Sequence, residues 1–326
     1  MKTIRKKILI ISILIIFLIL FIIIGNIISN KSYVSVTTFK KSYNYLTTIN
    51  DDNEEMEVLL YITNEKASFT DINKINNCKL YDDDTEININ LSKITNLNYS
   101  QNINGSVFHL FSYIFSLPKI KSSTIDNLKE NYEVKMEKAF LLLGLNNYDI
   151  NVEIGSFYYL LVEELGNKDL SISKLKPIVN IVNTNKTLVG LNIGFTNNTN
   201  KELLINKIEL LENGIYISSK DIKENTEDFQ SSEEISKLLG YKYNCLDTSD
   251  SIIEDVYLVL DSKEITEYII PIKYKTNYPI NSCGLMVTFT LDGIYQTLYF
   301  DDFLFFKDNT ITYPSNNITI LEYEDR

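Results

Sequence analysis

Residues 286–300, MVTFTLDGIYQTLYF, carry the strongest fold signal in the chain. Two runs of strand-forming residues, Met286–Leu291 and Ile294–Phe300, flank the pair Asp292-Gly293. Asp-Gly is favoured in a two-residue type I′ turn, because both residues of that turn need a positive φ. The stretch therefore predicts an antiparallel β-hairpin, and it indicates that the fold is built from strands.

The residues before this hairpin repeat the pattern of short apolar runs and turn formers. Leu188–Phe195, Leu203–Leu211 and Ile215–Ser218 are separated by Thr196–Lys201 and by Asn213-Gly214. Because both connections are rich in turn residues, we expect a meander of three antiparallel strands. The segment resembles immunoglobulin-type bacterial accessory domains in architecture, over about a tenth of the chain, and no motif in it transfers an activity.

The same region also predicts two further strands and a helix. The strands are expected at Val256–Leu260 and Ile265–Ile272. Ser231-Ser232-Glu233-Glu234 matches a capping box, and Gly240 follows as a stop signal. A short helix is therefore expected at Ser232–Leu239.

The N-terminal half also favours strands. They are expected at Tyr33–Ile49 (one or two strands), Met56–Ile62, Glu86–Leu91, Val107–Leu117, Ala139–Leu145, Tyr148–Ile154 and Phe157–Val162. Asn146-Asn147 predicts a hairpin turn, because Asn tolerates a positive φ. A short helix is expected at Thr124–Tyr132, and a domain boundary is expected within Glu163–Leu175.

These patterns define a mainly β fold class, because the strands are short, the turn signals recur and helices are few. We expect a single N-terminal transmembrane helix followed by two antiparallel β-sandwich domains of the immunoglobulin-like kind. The first domain is predicted to span residues 29–165, and the second is predicted to span residues 175–326.

The N-terminus contains an apolar run of transmembrane length. In Ile8–Ile24 only Ser12 is not strongly apolar, and the run extends through residue 28. About 20 apolar residues suffice to span a bilayer as a helix. The basic residues Lys2, Arg5, Lys6 and Lys7 predict a cytoplasmic tail of residues 1–7, so the body is expected on the extracellular side. The alternative is a secretory signal that is cleaved near Ser29.

Charge limits the partners of the body. The chain carries a net charge of -12, and removing the four basic residues before the apolar run leaves -16. Such a surface repels nucleic acids and anionic headgroups. Cationic partners and divalent ions are therefore favoured.

The three cysteines are too few for a disulfide framework. In an oxidising compartment Cys245 and Cys283 are candidates for a pair, which would leave Cys78 as a thiol. The alternative is three buried, inert thiols.

Motifs of enzymatic chemistry are sparse. His109 is the only histidine, which excludes zinc sites that need several histidines from one chain, and its aromatic surroundings predict a satisfied interior residue. Gly-x-Ser-x-Gly and phosphate-binding Gly-rich loops do not occur. Ser-x-x-Lys occurs at Ser116, Ser171 and Ser173, in segments that do not read as helices, so we interpret these matches as chance.

Carboxylates offer one candidate metal site. Asp82, Asp84 and Glu86 alternate along the chain, and their oxygens suit Ca²⁺. A complete EF-hand loop would also need a Gly and a terminal Glu, so a solvated acidic loop is the competing interpretation. Asp51–Glu55 and Asp301-Asp302 are weaker candidates of the same kind. No other cofactor is expected.

Together these observations predict a membrane-anchored extracytoplasmic protein that binds a partner and is not an enzyme. The bilayer is one partner, through residues 8–28, and a protein of the membrane or the cell surface is the other. One role of this kind is accessory to a membrane complex such as a transporter. The alternatives are a surface hydrolase with carboxylate chemistry and a Ca²⁺-dependent adhesion or spacer protein.

Overall fold

The structure is a computed structural model, and it describes residues 32–48, 54–118, 132–182, 185–212, 215–225, 255–274, 282–304 and 319–325. The expected transmembrane segment 8–28, the expected helix Ser232–Leu239, the turn Asn213-Gly214 and most of Thr124–Tyr132 lie outside these residues. Within the described ranges, no helix has both the length and the apolar character needed to cross a membrane.

The described residues form strands and a few single-turn 3₁₀ helices. The strands, numbered along the chain, are β1 Ser32–Thr37, β2 Lys41–Thr48, β3 Glu55–Ile62, β4 Ile75–Tyr81, β5 Glu86–Ile103, β6 Ser106–Ser116, β7 Tyr132–Leu145, β8 Asp149–Val162, β9 Leu170–Val182, β10 Asn185–Asn197, β11 Leu203–Leu211, β12 Ile215–Ile217, β13 Lys223–Glu224, β14 Asp255–Leu260, β15 Ile265–Tyr274, β16 Ser282–Leu291, β17 Ile294–Leu304 and β18 Leu321–Asp325. The 3₁₀ helices are Ser68–Thr70, Ile72–Lys74 and Ser219–Asp221. The predicted mainly β class is confirmed.

Nine strands form one sheet, in the order β18-β1-β3-β6-β5-β4-β7-β8-β2. The first residues of β5 pair with β4 and its later residues pair with β6, so this long strand belongs to both halves of the sheet. The halves face each other, because Val58 and Tyr113 of one half share a core with Leu141 and Phe157 of the other. We call this body the first sandwich.

Strand β2 departs from the expected antiparallel pairing. Residues 38–40 alone separate it from β1, yet the two strands lie in different halves of the sheet. β2 runs parallel to β8, with Lys41 opposite Gly155 and Thr48 opposite Val162. A chain that crosses between two halves without a hairpin keeps its direction, and β2 therefore arrives beside β8 running the same way.

Strands β9 to β17 form a second body. One sheet has the order β12-β15-β10-β9, with β13 also paired to β15, and the other has the order β14-β11-β16-β17. Leu191 and Ile270 of one sheet share a core with Ile205 and Val287 of the other. We call this body the second sandwich.

The predicted meander of three strands is wrong. β10 pairs with β9 and β15, β11 pairs with β14 and β16, and β12 pairs with β15. Consecutive strands β10 and β11 therefore lie in opposite sheets. The connection crosses the end of the sandwich, where Asn197 Nδ2 donates to the carbonyls of Lys201, Leu260 and Asp261 at 2.8–3.0 Å. Each strand has one apolar stripe, and such a stripe fits either sheet, so the sequence pattern did not distinguish the two arrangements.

Both bodies follow the immunoglobulin strand order. In the first sandwich, β1-β3-β6-β5 faces β4-β7-β8, which is the order A-B-E-D facing C-F-G. In the second, β9-β10-β15-β12 faces β11-β16-β17 in the same order, and β14 is an additional strand beside β11. The immunoglobulin-like β-sandwich class is confirmed.

The last strand returns to the first sandwich. β18 pairs antiparallel with β1 from Ser32 opposite Asp325 to Val36 opposite Leu321. Sequence analysis placed these C-terminal residues with the second domain. The second sandwich is thus inserted between two strands of the first, and both ends of the described chain lie side by side.

Two tight turns show the chemistry of a type I′ hairpin. Asp292 and Gly293 have φ values of 53° and 78°, as predicted. Asn104 and Gly105, with φ values of 50° and 88°, form a turn of the same sort between β5 and β6, which sequence analysis did not identify. Asn146-Asn147 does connect two paired strands, but neither Asn has a positive φ, so the reason given for that turn is wrong.

Candidate functional site

The two sandwiches meet at an apolar contact. Leu46 of β2 and Tyr158, Leu160 and Val162 of β8 pack against Leu211 of β11. Met286 and Tyr299 of the second sandwich complete this cluster. The contact joins the outer face of one sheet in each body, so residues on either side of it face each other across the junction.

A buried polar cluster lies beside this contact. Ser42 Oγ donates a hydrogen bond to Glu212 Oε1, and it lies 2.6 Å from Ser156 Oγ. All three side chains are buried. A buried carboxylate needs donors of this kind, because an unsatisfied charge is costly in a dry interior. The cluster thus ties β2 and β8 of the first sandwich to the end of β11.

Gly155 positions this cluster. Its φ is +120°, and a Cβ at this residue would lie 2.0 Å from the carbonyl oxygen of Lys41. Only glycine permits this close approach of β8 to β2. Ser156, the next residue, lies directly opposite Ser42 in the parallel register.

An open groove of about 460 Å³ lies between the sandwiches. Glu133, Lys135, Glu137 and Tyr158 line it from the first sandwich. The second sandwich contributes the following residues: Ile208, Glu209, Leu210, Leu211, Glu212, Ile215, Tyr216, Ile217, Met286 and Tyr299. A groove of this volume at a junction of two bodies, with an aromatic wall and several charged groups, is a candidate ligand site.

The groove already holds one ammonium group, that of Lys135. Its Nζ lies 2.8 Å from Glu133 Oε1 and 5.2 Å from the centroid of the Tyr158 ring. The hydroxyl of Tyr158 donates to the same Glu133 oxygen at 2.8 Å. A carboxylate together with an aromatic face is a favourable environment for a cation. This wall therefore has the chemistry of an ammonium or guanidinium site.

The same contacts shift two pKa values. Burial raises the pKa of the Tyr158 hydroxyl, and its hydrogen bond to Glu133 raises it further. Burial by itself would raise the pKa of Glu133, but hydrogen bonds from Lys135 and Tyr158 and the charge of Lys207 outweigh it, so the pKa of Glu133 is lowered. Glu133 is therefore ionised at neutral pH and Tyr158 keeps its proton.

Acidic side chains outnumber basic ones along the groove. Glu133, Glu137, Glu209 and Glu212 line it together with a single lysine, Lys135. Lys207 pairs with Glu209 at 2.7 Å beside the groove. The four carboxylates and one ammonium of the lining leave a net charge of -3. The groove is thus matched in charge to a positively charged ligand.

The predicted calcium residues lie in the turn between β4 and β5. Asp82 Oδ1 accepts hydrogen bonds from the backbone amides of Asp84 and Thr85 at 3.0 and 2.7 Å. Glu86 pairs with Lys79 at 2.6 Å, and Asp84 is exposed. Across the described ranges no three acidic, histidine or cysteine side chains converge in a geometry that could hold a metal ion. Asp51 and Asp52 and the side chains of Asp301 and Asp302 lie outside what the structure describes.

His109 is satisfied but is not an interior residue. It lies on β6 with an intermediate exposure, and its Nδ1 is 3.0 Å from Glu65 Oε1. Asn96 Nδ2 donates to the same oxygen at 3.1 Å. The residue belongs to a surface network of the first sandwich and does not line the groove.

The remaining motif residues have structural positions. Ser171, Ser173, Lys174 and Lys176 lie on strand β9, where residues three apart point to opposite faces, so the two Ser-x-x-Lys spacings on β9 bring no Lys to its Ser. Lys174 pairs with Glu267 at 2.5 Å. Cys78 and Cys283 are buried in the first and second core. Cys245 lies outside the described residues, so its pairing with Cys283 stays a prediction.

The groove was not predicted from the sequence. Its residues come from β7, β8, β11, β12, β16 and β17, and only the packing of two bodies brings them together. One signal was available, because Glu133, Lys135 and Glu137 alternate with the buried Val134 and Met136. Strand β7 was predicted to begin at Ala139, and the alternation before it was therefore not interpreted as an outward face.

Comparisons with known proteins found distant structural neighbours and no family for this chain. No family model and no curated protein matches the chain. Solved structures similar to it include titin Ig tandem domains A164-A165, at 7% identity over 82% of this chain and 96% of that chain, with a TM-score of 0.19. The C-terminal domain of the Streptococcus agalactiae AgI/II polypeptide BspA matches at 8% identity over 82% and 98%, with a TM-score of 0.20. The Pseudomonas aeruginosa CupB2 chaperone matches at 8% identity over 79% and 97%, with a TM-score of 0.15.

TM-scores of this size carry no argument about function. The class of this protein rests on its own strand order, which is that of two immunoglobulin-like sandwiches.

Proposed function

We propose that this protein is a membrane-anchored, non-enzymatic binding protein of the cell exterior, which accepts a cationic segment of a partner protein in the groove between its two sandwiches. The groove supports this proposal most directly, because acidic and aromatic side chains from both bodies converge on it. The fold supports it as well, since immunoglobulin-like sandwiches provide rigid surfaces for binding. The net charge of -12 favours the same class of ligand.

The anchor completes the proposal. Residues 8–28 hold the body at the outer surface, and the partner is a protein of the same membrane or surface, such as a component of a transporter. The only histidine, His109, lies in a surface network away from the groove, which fits a binding role better than acid–base chemistry.

Binding of a tetralysine peptide to the full chain in neutral detergent tests the groove. The double variant Glu137→Gln/Glu209→Gln removes two of its charges. We expect the dissociation constant to rise about tenfold, since each exposed ion pair contributes up to about 1 kcal/mol. Isothermal titration calorimetry at low and physiological salt measures the change.

A matched control separates a site from general attraction. Asp84→Asn/Glu86→Gln removes the same charge at the β4–β5 turn, where Glu86 pairs with Lys79 as Glu209 pairs with Lys207. This variant should change the dissociation constant less than twofold. An equal loss of affinity in both variants would mean that the peptide responds only to the overall charge of the protein. The groove would then not be the binding site.

A further inference from the structure

One sheet face of the second sandwich exposes large uncharged side chains. In the sheet β14-β11-β16-β17, the register aligns Val259, Leu204, Thr290 and Tyr295 across all four strands. Residues in register point to the same face of a sheet. Leu203, Ile205 and Phe289 point into the core, so this row points outward. Val259 and Tyr295 are 51% and 73% exposed.

A second row continues the face. Thr290 Oγ1 donates to the side chain of Asn206 at 2.7 Å, which places Asn206 on the outer side at the irregularity of β11. Thr288 and Thr297 are opposite each other in β16 and β17, and the register continues this row through Lys207 of β11 to Asp255 of β14. Tyr257, which precedes Val259 by two residues on β14, is 78% exposed. We call these two rows the tyrosine face, and they comprise Leu204, Asn206, Tyr257, Val259, Thr288, Thr290, Tyr295 and Thr297.

The tyrosine face differs in charge from the rest of the molecule. Its eight side chains are uncharged, and the two charged side chains at the end of its second row, Lys207 and Asp255, have opposite signs, whereas the chain as a whole carries -12. Exposed apolar patches of this kind mark interaction sites. Tyrosines are favoured there because they bury much surface at a small entropic cost.

Farther along its strands, the outer side of this sheet forms the contact with the first sandwich. Met286 and Tyr299 are opposite each other in β16 and β17, and they pack with Leu211 against the first sandwich. The outer side of this sheet therefore accepts a second β-sheet in the known contact. The tyrosine face continues that surface beyond the edge of the first sandwich.

We infer that the tyrosine face packs against the tyrosine face of a second copy of this chain, which makes a symmetric dimer. Two bodies of strong like charge repel each other over most of their surface, so a face without net charge permits their closest approach. A two-fold axis needs only one self-complementary patch, and two sheets pack face to face at a spacing of about 10 Å. The inference is independent of the ligand of the groove.

Site-specific crosslinking in intact cells tests this inference on the full chain. A photoreactive benzoylphenylalanine replaces Tyr295, and in a control it replaces Tyr33, which is 64% exposed on the first sandwich. We expect a crosslinked band of twice the chain mass from position 295 and none from position 33. Crosslinks from position 295 to a different protein, or no crosslink at all, would overturn the inference.

Self-association of the purified full chain gives a second measurement. Tyr257→Ser/Val259→Ser should weaken dimerisation at least tenfold in sedimentation velocity, while the control Ile294→Ser, at an exposed turn residue outside the two rows, should not. Melting curves of each variant establish that it is folded. A wild-type chain that remains monomeric at the highest soluble concentration would contradict the inference.

Discussion

Single residues with unusual backbones determine how the strands meet in this molecule. Gly155 lets β8 approach β2 so closely that any side chain at this position would overlap the backbone of Lys41. Gly105 also has a positive φ, but a Cβ there would meet nothing within 4 Å. Substitutions at these two glycines therefore distinguish the energetic cost of a positive φ from the energetic cost of a steric clash.

Alanine at these positions should destabilise the protein to different extents. In Gly105→Ala only the positive φ is unfavourable, and it should lower the free energy of unfolding by about 1 kcal/mol. In Gly155→Ala the positive φ and the clash with the backbone of Lys41 both destabilise the fold. We therefore expect the free energy of unfolding to fall by more than about 3 kcal/mol. Urea unfolding of the two variants measures the difference. Equal losses would mean that β8 can move away from Lys41 without cost.

At the scale of elements, the sequence predicted strands well and their partners poorly. β11 was predicted residue for residue, and the Asp292-Gly293 hairpin was identified by its turn chemistry, because both signals are local. β5 was predicted only at Glu86–Leu91, since its later residues are mostly polar and are held as a strand by pairing with β6. The partners of β10, β11 and β18 depend on contacts between distant residues, which no local pattern encodes.

The C-terminal strand gives the clearest test at this scale. β18 covers the edge of β1. The Tyr323 hydroxyl accepts a hydrogen bond from the backbone nitrogen of Asn151 at 3.0 Å and donates one to its carbonyl at 2.9 Å. Thr37 Oγ1 donates to the carbonyl of Thr319 at 2.7 Å. Deleting residues 319–326 should cost about 2–5 kcal/mol, because several hydrogen bonds are lost together. Thermal unfolding measures the loss.

Adding the missing strand as a peptide should reverse this effect. The peptide TILEYEDR, residues 319–326, should raise the melting temperature of the truncated protein, and the rise should grow with the logarithm of the peptide concentration once the peptide is in excess of its dissociation constant. A peptide with Ser in place of Leu321 and Tyr323 should not. Full stability of the truncated protein without peptide would show that β18 contributes nothing to the first sandwich.

At the scale of the whole molecule, the candidate site is a product of assembly. The groove exists because the second sandwich is inserted into the first and packs on it through Leu211, Met286 and Tyr299. Composition and charge predicted the class of ligand that suits it. Neither indicated its place, because its walls come from strands that are far apart in the sequence.

The predicted anchor is tested with the whole chain in its membrane. Protease added to intact cells should remove the body, and a C-terminal epitope should be accessible from outside, because residues 1–7 are expected in the cytoplasm. Ile16→Arg/Ile19→Arg should abolish membrane retention, since each arginine costs about 2.5–3.5 kcal/mol in the middle of a spanning helix. A body that is protected in intact cells would contradict the predicted topology.

The pairing of Ser32 with Asp325 also determines how the protein responds to mechanical force. Tension applied between the two ends would pull on the β1–β18 ladder at its last pair, and its hydrogen bonds would break one after another instead of all at once. Such unzipping needs less force than shearing two long strands past each other. A pull on the C-terminus would therefore detach one short strand and leave both sandwiches and the groove between them intact.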